Sequence, residues 1–79
     1  MEERRYFGIK YSELQNPKVI TKQQTNLILS AVLTQKGVRR WWTLKMDKLN
    51  GSTPEKAWRE GGKKKVYEIA LSYLDEAYY

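Results

Sequence analysis

The amino-acid sequence predicts an all-α fold, a small bundle of four to five short helices. Apolar residues recur every three or four positions in the longest patterned segments, and residues that cap or stop helices separate those segments. No segment shows a strand-like pattern that rivals these helices. A chain of 79 residues forms one domain with a thin core, because a domain of this size buries only about 60–65% of its unfolded surface. We therefore predict a single helical domain over 1–79, with a weakly patterned segment at 1–20 and a helical core at 21–79.

The first well-patterned helix is predicted over 22–36. Thr21 and Gln24 have the spacing of a capping box, in which the Thr hydroxyl accepts from the Gln amide and the Gln side chain reaches back. Apolar residues then follow at helical spacing, and Gly37 is predicted to end the helix at its C′ position. Upstream, Asn16-Pro17 marks a turn, and a short helix over 11–15 precedes it as an option.

Two shorter helices are predicted next. One runs from Val38 to Leu49 and stops at Asn50-Gly51, because both of these residues tolerate a positive φ. The other is capped by Thr53 with Pro54 at its first position, where the missing amide costs no hydrogen bond. Gly61-Gly62 is predicted to end it within two turns.

The last helix has the clearest pattern of the chain. One apolar stripe repeats at a spacing of three to four residues and comprises Val66, Ile69, Ala70, Tyr73, Leu74 and Ala77. Tyr67, Leu71 and Tyr78 lie on an adjoining stripe. A face this wide predicts contact with the domain itself on one side and with a partner on the other.

Composition and charge narrow the function classes. The chain has no Cys and no His, so disulfides, Cys/His zinc sites, thiol nucleophiles and imidazole bases are excluded, and we expect no catalytic residues, metal or cofactor. Its net charge is +6, and residues 10–48 carry all of it, with eight Lys or Arg against two acidic residues. This balance favours an acidic partner. Without a signal-peptide or membrane-spanning pattern, we expect a cytoplasmic protein, in the host cytoplasm if it is virus-encoded.

The basic middle segment raises a nucleic-acid hypothesis. Arg39-Arg40 stand beside Trp41-Trp42, a combination that suits contacts to phosphates or base edges and stacking on an unpaired base. The predicted residues for nucleic acid or an acidic partner are Lys36, Arg39, Arg40, Lys45, Lys48, Lys63, Lys64 and Lys65. The alternative is one Trp in the core and solvated arginines. A helix-turn-helix over 21–49 is disfavoured, because two bulky Trp stand where a recognition helix presents polar side chains.

Gly61-Gly62-Lys63 is a weak phosphate-loop signal. Glycine amides at the start of a helix can cradle an anion. The upstream Gly of a Walker motif is missing, however, and Lys64 stands where Ser or Thr would bind magnesium. A helix break followed by solvated lysines is the favoured interpretation.

A series of structural residues carries a resemblance to a known family. The series is Trp41, Leu49, Gly51, Thr53, Pro54, Gly61 and Val66. In this order and spacing it resembles the C-terminal toxin-binding domain of the Xre/MbcA/ParS antitoxin family, over residues 38–74. The chain departs from the family at Lys45, where members often have Pro. The resemblance implies a helical domain that binds a RES-type toxin, an NAD-consuming enzyme, and blocks the entrance of its active site.

Taken together, these observations predict a non-enzymatic, antitoxin-like module that binds a protein partner, a RES-type toxin or another enzyme. The predicted partner-binding residues are Trp58, Tyr67, Leu71, Tyr78 and Tyr79. A small basic nucleic-acid-binding protein, or a virus-encoded inhibitor of a host nucleic-acid enzyme, is the alternative. Homodimerisation also stays open, because a thin core leaves apolar surface uncovered.

Overall fold

The computed structural model describes residues 5–6, 9–15 and 17–78, together with the side chains of 9–10, 12–15 and 17–74, and it confirms a small, mostly helical fold. Its helices are α1 (Tyr11–Gln15), α2 (Lys22–Ser30), α3 (Gln35–Trp41), α4 (Pro54–Arg59) and α5 (Lys63–Tyr78). A short 3-10 helix, Asp47–Leu49, lies between α3 and α4. Ahead of α1, the two-residue strands β1 (Arg5–Tyr6) and β2 (Ile9–Lys10) pair antiparallel, with Arg5 opposite Lys10 and Tyr6 opposite Ile9.

Helix α5 is the centre of the packing and contacts α1, α2 and α4. The buried apolar residues are Leu14, Ile28, Leu29, Val38, Trp41, Leu49, Trp58, Val66, Tyr67, Ile69, Ala70, Leu71 and Leu74. Six of them belong to α5, so both of its predicted apolar stripes, in the part whose side chains are described, turn toward the domain. The expectation that the second stripe faces a partner is therefore wrong for Tyr67 and Leu71.

The helix predicted over 22–36 is two helices separated by a turn. Helix α2 ends at Ser30, and the amides of Val32 and Leu33 both donate to the carbonyl of Leu29. Thr34 then caps α3, since its hydroxyl accepts from the amide of Gly37 at 3.1 Å. Gly37 lies inside α3 and does not end a helix. Thr34 gives the backbone amide of Gly37 a side-chain partner in place of a helical one, and the spacing of apolar residues does not reveal such a cap.

The helix predicted from Val38 to Leu49 is wrong at both ends. Helix α3 starts at Gln35, and it stops at Trp41, after which the Thr43 hydroxyl donates to the Arg40 carbonyl at 2.8 Å. The chain then closes a loop in which the Met46 amide donates to the Ser52 carbonyl at 3.0 Å. These side-chain and loop hydrogen bonds take the place of the helical ones that the pattern predicted.

The signals around α4 are confirmed. Asn50 and Gly51 have φ values of +56° and +81°, the left-handed conformation expected for the stop. Thr53 caps α4 by accepting from the amide of Lys56 at 3.2 Å, and the buried Pro54 occupies the first turn. Gly61 has a φ of +92° and ends the helix. The backbone conformation at each of these positions depends only on the nearest residues in sequence, so the sequence is enough to predict it.

Candidate binding surfaces

Helix α3 presents a row of cationic side chains to solvent. Lys36, Arg39 and Arg40 are exposed, whereas Val38 and Trp41 of the same helix are buried in the core. Residues three and four positions apart share a helix face, so Lys36 lies beside both arginines. The sequence of α3 contains no acidic residue that would neutralise this face. The result is a short helix that is anchored by two apolar side chains and basic on its outer side.

Helix α3 starts earlier than the sequence pattern predicts, and this start adds a polar residue to its exposed face. Gln35 is exposed at the first position of α3, whereas the pattern had assigned it to the preceding helix. The signal for this boundary is the Thr34 cap three residues before Gly37. The shift also places Trp41 and Trp42 at the end of the helix, so they do not displace polar residues from its outer face. The objection to a helix-turn-helix over this region therefore loses its basis.

Trp42 belongs to an aromatic cluster and is only half-buried. Its ring meets those of Trp41 and Trp58 edge to face, with centroids 5.2 and 5.5 Å apart. Its indole N–H donates to the side-chain oxygen of Asn26 at 2.6 Å, and the Lys22 ammonium lies 5.3 Å from its ring centroid. A base that stacked on the face under Lys22 would have to displace that ammonium group. The structure gives this indole mainly a packing role between α2, α3 and α4.

The glycines before α5 have no amide left for an anion. The Gly62 amide donates to the Ala57 carbonyl at 2.8 Å, and the Gly61 amide donates to the Trp58 carbonyl at 3.3 Å. Both hydrogen bonds close the end of α4 instead of pointing outward. The phosphate-loop interpretation, already weak on sequence grounds, is wrong. Lys63, Lys64 and Lys65 follow as exposed residues in the first turn of α5, and the Lys63 ammonium lies 5.9 Å from the Trp58 ring centroid.

Three of the predicted partner-binding residues lie in the core. Trp58 is 9% exposed, Leu71 8% and Tyr67 2%, so none of them offers a contact surface. The Tyr78 side chain and all of Tyr79 lie outside the described residues. The width of an apolar helix face does not reveal how many neighbours cover it, and here α1 and α2 cover more of α5 than the sequence suggested.

Tyr67 joins three helices through its hydroxyl. The hydroxyl donates to the Leu14 carbonyl of α1 at 2.5 Å and accepts from the side-chain amide of Gln24 in α2 at 3.1 Å. Burial raises the pKa of Tyr67, and the hydrogen bond from Gln24 offsets part of that rise. The Thr21 hydroxyl caps α2 as predicted, at 3.1 Å from the Gln24 amide, but the Gln24 side chain bonds Tyr67 instead of completing a capping box.

All eight predicted cationic residues are exposed, and two from different elements meet at one groove. The groove lies between the 3-10 helix and α5 and has a volume of about 410 Å³. Its lining residues are Lys48, Lys65, Glu68, Ile69 and Ser72. Lys48 and Lys65 are far apart in sequence, so only the fold brings them together. In this groove two predicted cations adjoin the apolar surface of Ile69.

The part of the chain that the structure describes has neither a candidate metal site nor a candidate membrane span. Within residues 5–6, 9–15 and 17–78, no cluster of three or more acidic, Cys or His side chains could hold a metal ion. No described helix has the length and apolar character needed to cross a membrane. The candidate sites described above are the outer face of α3 and the groove beside α5.

Comparison with protein-family models, with curated proteins and with solved structures gives no match for this chain.

Proposed function

We propose that this chain is a non-enzymatic, antitoxin-like module that binds a partner enzyme and neutralises it by occluding the active site. One observation carries the proposal: every residue of the motif shared with the antitoxin toxin-binding domain has a structural role in this fold. Trp41, Leu49 and Val66 are buried in the core. The other four shape the chain at both ends of α4. The motif thus has a physical reason for its spacing, and this supports the same domain architecture here.

The chemistry of the chain also suits inhibition by occlusion. Blocking an active-site entrance requires a rigid body with a complementary surface, and it requires no reacting group on the inhibitor. A chain without Cys or His can supply such a surface. Because the residues predicted to contact the partner from the middle of α5 are buried, the contact surface on that helix is narrower than the sequence suggested. We assign it to the exposed residues of α5 and to the C-terminal Tyr78-Tyr79. The implied location is the cytoplasm, where an NAD-consuming toxin acts.

Co-expression with a RES-type toxin from the native host tests this proposal. We expect the chain to restore growth and cellular NAD, and to co-elute with the toxin in gel filtration. A truncation after Ala77 removes both terminal tyrosines while retaining the buried core up to Leu74, and we expect it to lose the complex. The matched control is Arg39→Gln/Arg40→Gln, which alters an exposed face and should leave the complex intact. Failure to rescue growth and to co-elute would overturn the proposal.

A second candidate function, nucleic-acid binding, is favoured by the outer face of α3. Gln35, Lys36, Arg39 and Arg40 all lie exposed on a helix that follows α2 after a short turn. Amide and guanidinium groups are the side-chain groups that read base edges and contact phosphates. Nothing acidic on α3 opposes a polyanion.

Salt-dependent binding to duplex DNA and to single-stranded RNA tests this second function. Each phosphate contact contributes about 0.9 to the slope of log affinity against log salt for B-DNA, so Arg39→Gln/Arg40→Gln should lower that slope by about 2. Lys56→Gln/Arg59→Gln removes the same charge from α4 and should lower it less. Equal effects of the two variants would show that the α3 face has no special role, and binding that is insensitive to salt would exclude this function.

A further inference from the structure

The groove between the 3-10 helix and α5 combines two kinds of surface. Lys48 reaches it from the 3-10 helix and Lys65 from α5. Ile69, only 6% exposed, supplies an apolar floor, and Ser72 lies beside it. The Ser72 hydroxyl donates to the Ile69 carbonyl at 2.6 Å, so its proton is already engaged. The groove therefore offers two ammonium groups around a small apolar surface.

The ammonium groups of the two lysines are available to a partner. Within the described residues, neither Lys48 nor Lys65 forms an ion pair, even though Glu68 lines the same groove. Lys22 and Lys63, in contrast, each lie over a Trp ring. Two cations at one groove attract a carboxylate, and the apolar floor accepts the side chain of a neighbouring residue.

We infer that this groove binds an acidic side chain of the protein partner, an Asp or Glu carboxylate adjacent to an apolar residue. The inference rests on the proposed function and names the chemistry that the partner presents. Charge complementarity selects this occupant. With Glu68 included, the groove has a net charge of only +1, which suits one carboxylate. A nucleic-acid strand would bring repeated phosphates against Glu68, whereas the acid-free face of α3 would not oppose them.

A peptide titration of the full chain followed by NMR tests this inference. The probes are acetyl-Glu-Leu-amide, acetyl-Gln-Leu-amide and inorganic phosphate. We expect the Glu peptide to shift the amide signals of Lys65, Glu68, Ile69 and Ser72, and the Gln peptide to bind about fivefold more weakly. Lys48→Gln/Lys65→Gln should lower the affinity for the Glu peptide by about the same factor. Lys18→Gln/Lys56→Gln removes two exposed lysines outside the groove, has the same net charge and should bind as the native chain does.

The inference is overturned if the groove signals do not shift, if the Glu and Gln peptides bind with equal affinity, or if both double variants lose the same affinity. Phosphate that competes fully with the peptide at equal concentration would also overturn it, because the groove would then bind anions without regard to the apolar residue. Far-UV circular dichroism shows whether each variant is folded.

The toxin experiment separates this inference from the proposed function. If the toxin binds the native chain and Lys48→Gln/Lys65→Gln equally well, the inference fails and the proposed function stands. If the toxin binds neither while the Glu peptide still occupies the groove, the proposed function fails and the acidic-peptide site stands.

Discussion

Replacing Tyr67 by Phe tests whether one hydroxyl fastens α1 to the rest of the fold. The substitution keeps the buried ring and removes the two hydrogen bonds to Leu14 and Gln24. A hydrogen bond contributes about 1 kcal/mol net, so the free energy of unfolding should fall by about 2 kcal/mol. For a domain of this size, a loss of 1 kcal/mol lowers Tm by about 4–8 °C, so we expect a fall of about 10 °C.

The assay is thermal unfolding followed by circular dichroism, combined with amide hydrogen exchange of α1. Because the lost hydrogen bond ends on a carbonyl of α1, exchange in that helix should accelerate by about thirtyfold, the factor that corresponds to 2 kcal/mol. In α4, the difference between the free energy of opening and that of global unfolding should stay unchanged. The matched control is Tyr73→Phe. Like Tyr67→Phe it removes a phenol hydroxyl from α5, but the Tyr73 hydroxyl accepts from the Trp41 indole N–H at 3.0 Å.

Two results would refute this reasoning. A Tyr67→Phe chain that melts within about 2 °C of the native chain would show that the hydroxyl contributes little, since 1 kcal/mol already corresponds to a larger shift. A Tyr73→Phe chain with equally fast exchange in α1 would show that the effect is general destabilisation and not the loss of a tether.

Further predictions concern pH, backbone strain and an unpaired hydroxyl. The pKa of Tyr67 in the folded chain is raised above its ordinary value of 10.0. The protonated hydroxyl therefore contributes its full stability below pH 10.0, and this contribution is lost as the pH rises through the folded pKa. Urea unfolding at several alkaline pH values should show this loss in the native chain and not in Tyr67→Phe. Gly61→Ala should lower the free energy of unfolding by about 1–2 kcal/mol, because its φ of +92° is unfavourable for Ala. No atom lies within 4 Å of the added Cβ, so the loss comes from backbone strain and not from a clash. The same urea assay measures it, and an unchanged midpoint would contradict this reason. Ser52→Ala should raise the free energy of unfolding by up to about 1 kcal/mol, because Ser52 Oγ is a buried atom that has no hydrogen-bond partner in the described part of the chain. A destabilised variant would contradict this prediction and show that the hydroxyl stabilises the fold.

The second half of the fold could be predicted from sequence because its signals are local. A Thr-Pro pair starts α4, and residues with positive φ stand before and after that helix. Each signal acts through the conformation of one or two residues, so it does not depend on what packs nearby. The turn between α2 and α3 was harder, because Leu33 and Thr34 fit both a continuing helix and a cap followed by a new one.

The candidate sites were only partly predictable, because exposure depends on distant contacts. Trp58, Tyr67 and Leu71 have the composition of a binding surface, and their burial follows from how α1, α2 and α4 pack around α5. The groove shared by Lys48 and Lys65 likewise depends on where the 3-10 helix lies. Charge was the more dependable signal, since every predicted cation is exposed as its desolvation cost requires.

The contact between the three indoles gives the chain an internal spectroscopic reporter. Trp41 is the last residue of α3, Trp42 follows it directly, and Trp58 belongs to α4. The Trp42 ring meets both of the others edge to face, with centroids 5.2 and 5.5 Å apart. Excited states of chromophores this close couple, and the coupling changes sharply with distance and angle. The near-ultraviolet circular dichroism of the unlabelled chain should therefore follow the docking of α4 on α3, while the far-ultraviolet signal follows the helices themselves. Binding events that shift one helix against the other become observable without any added probe.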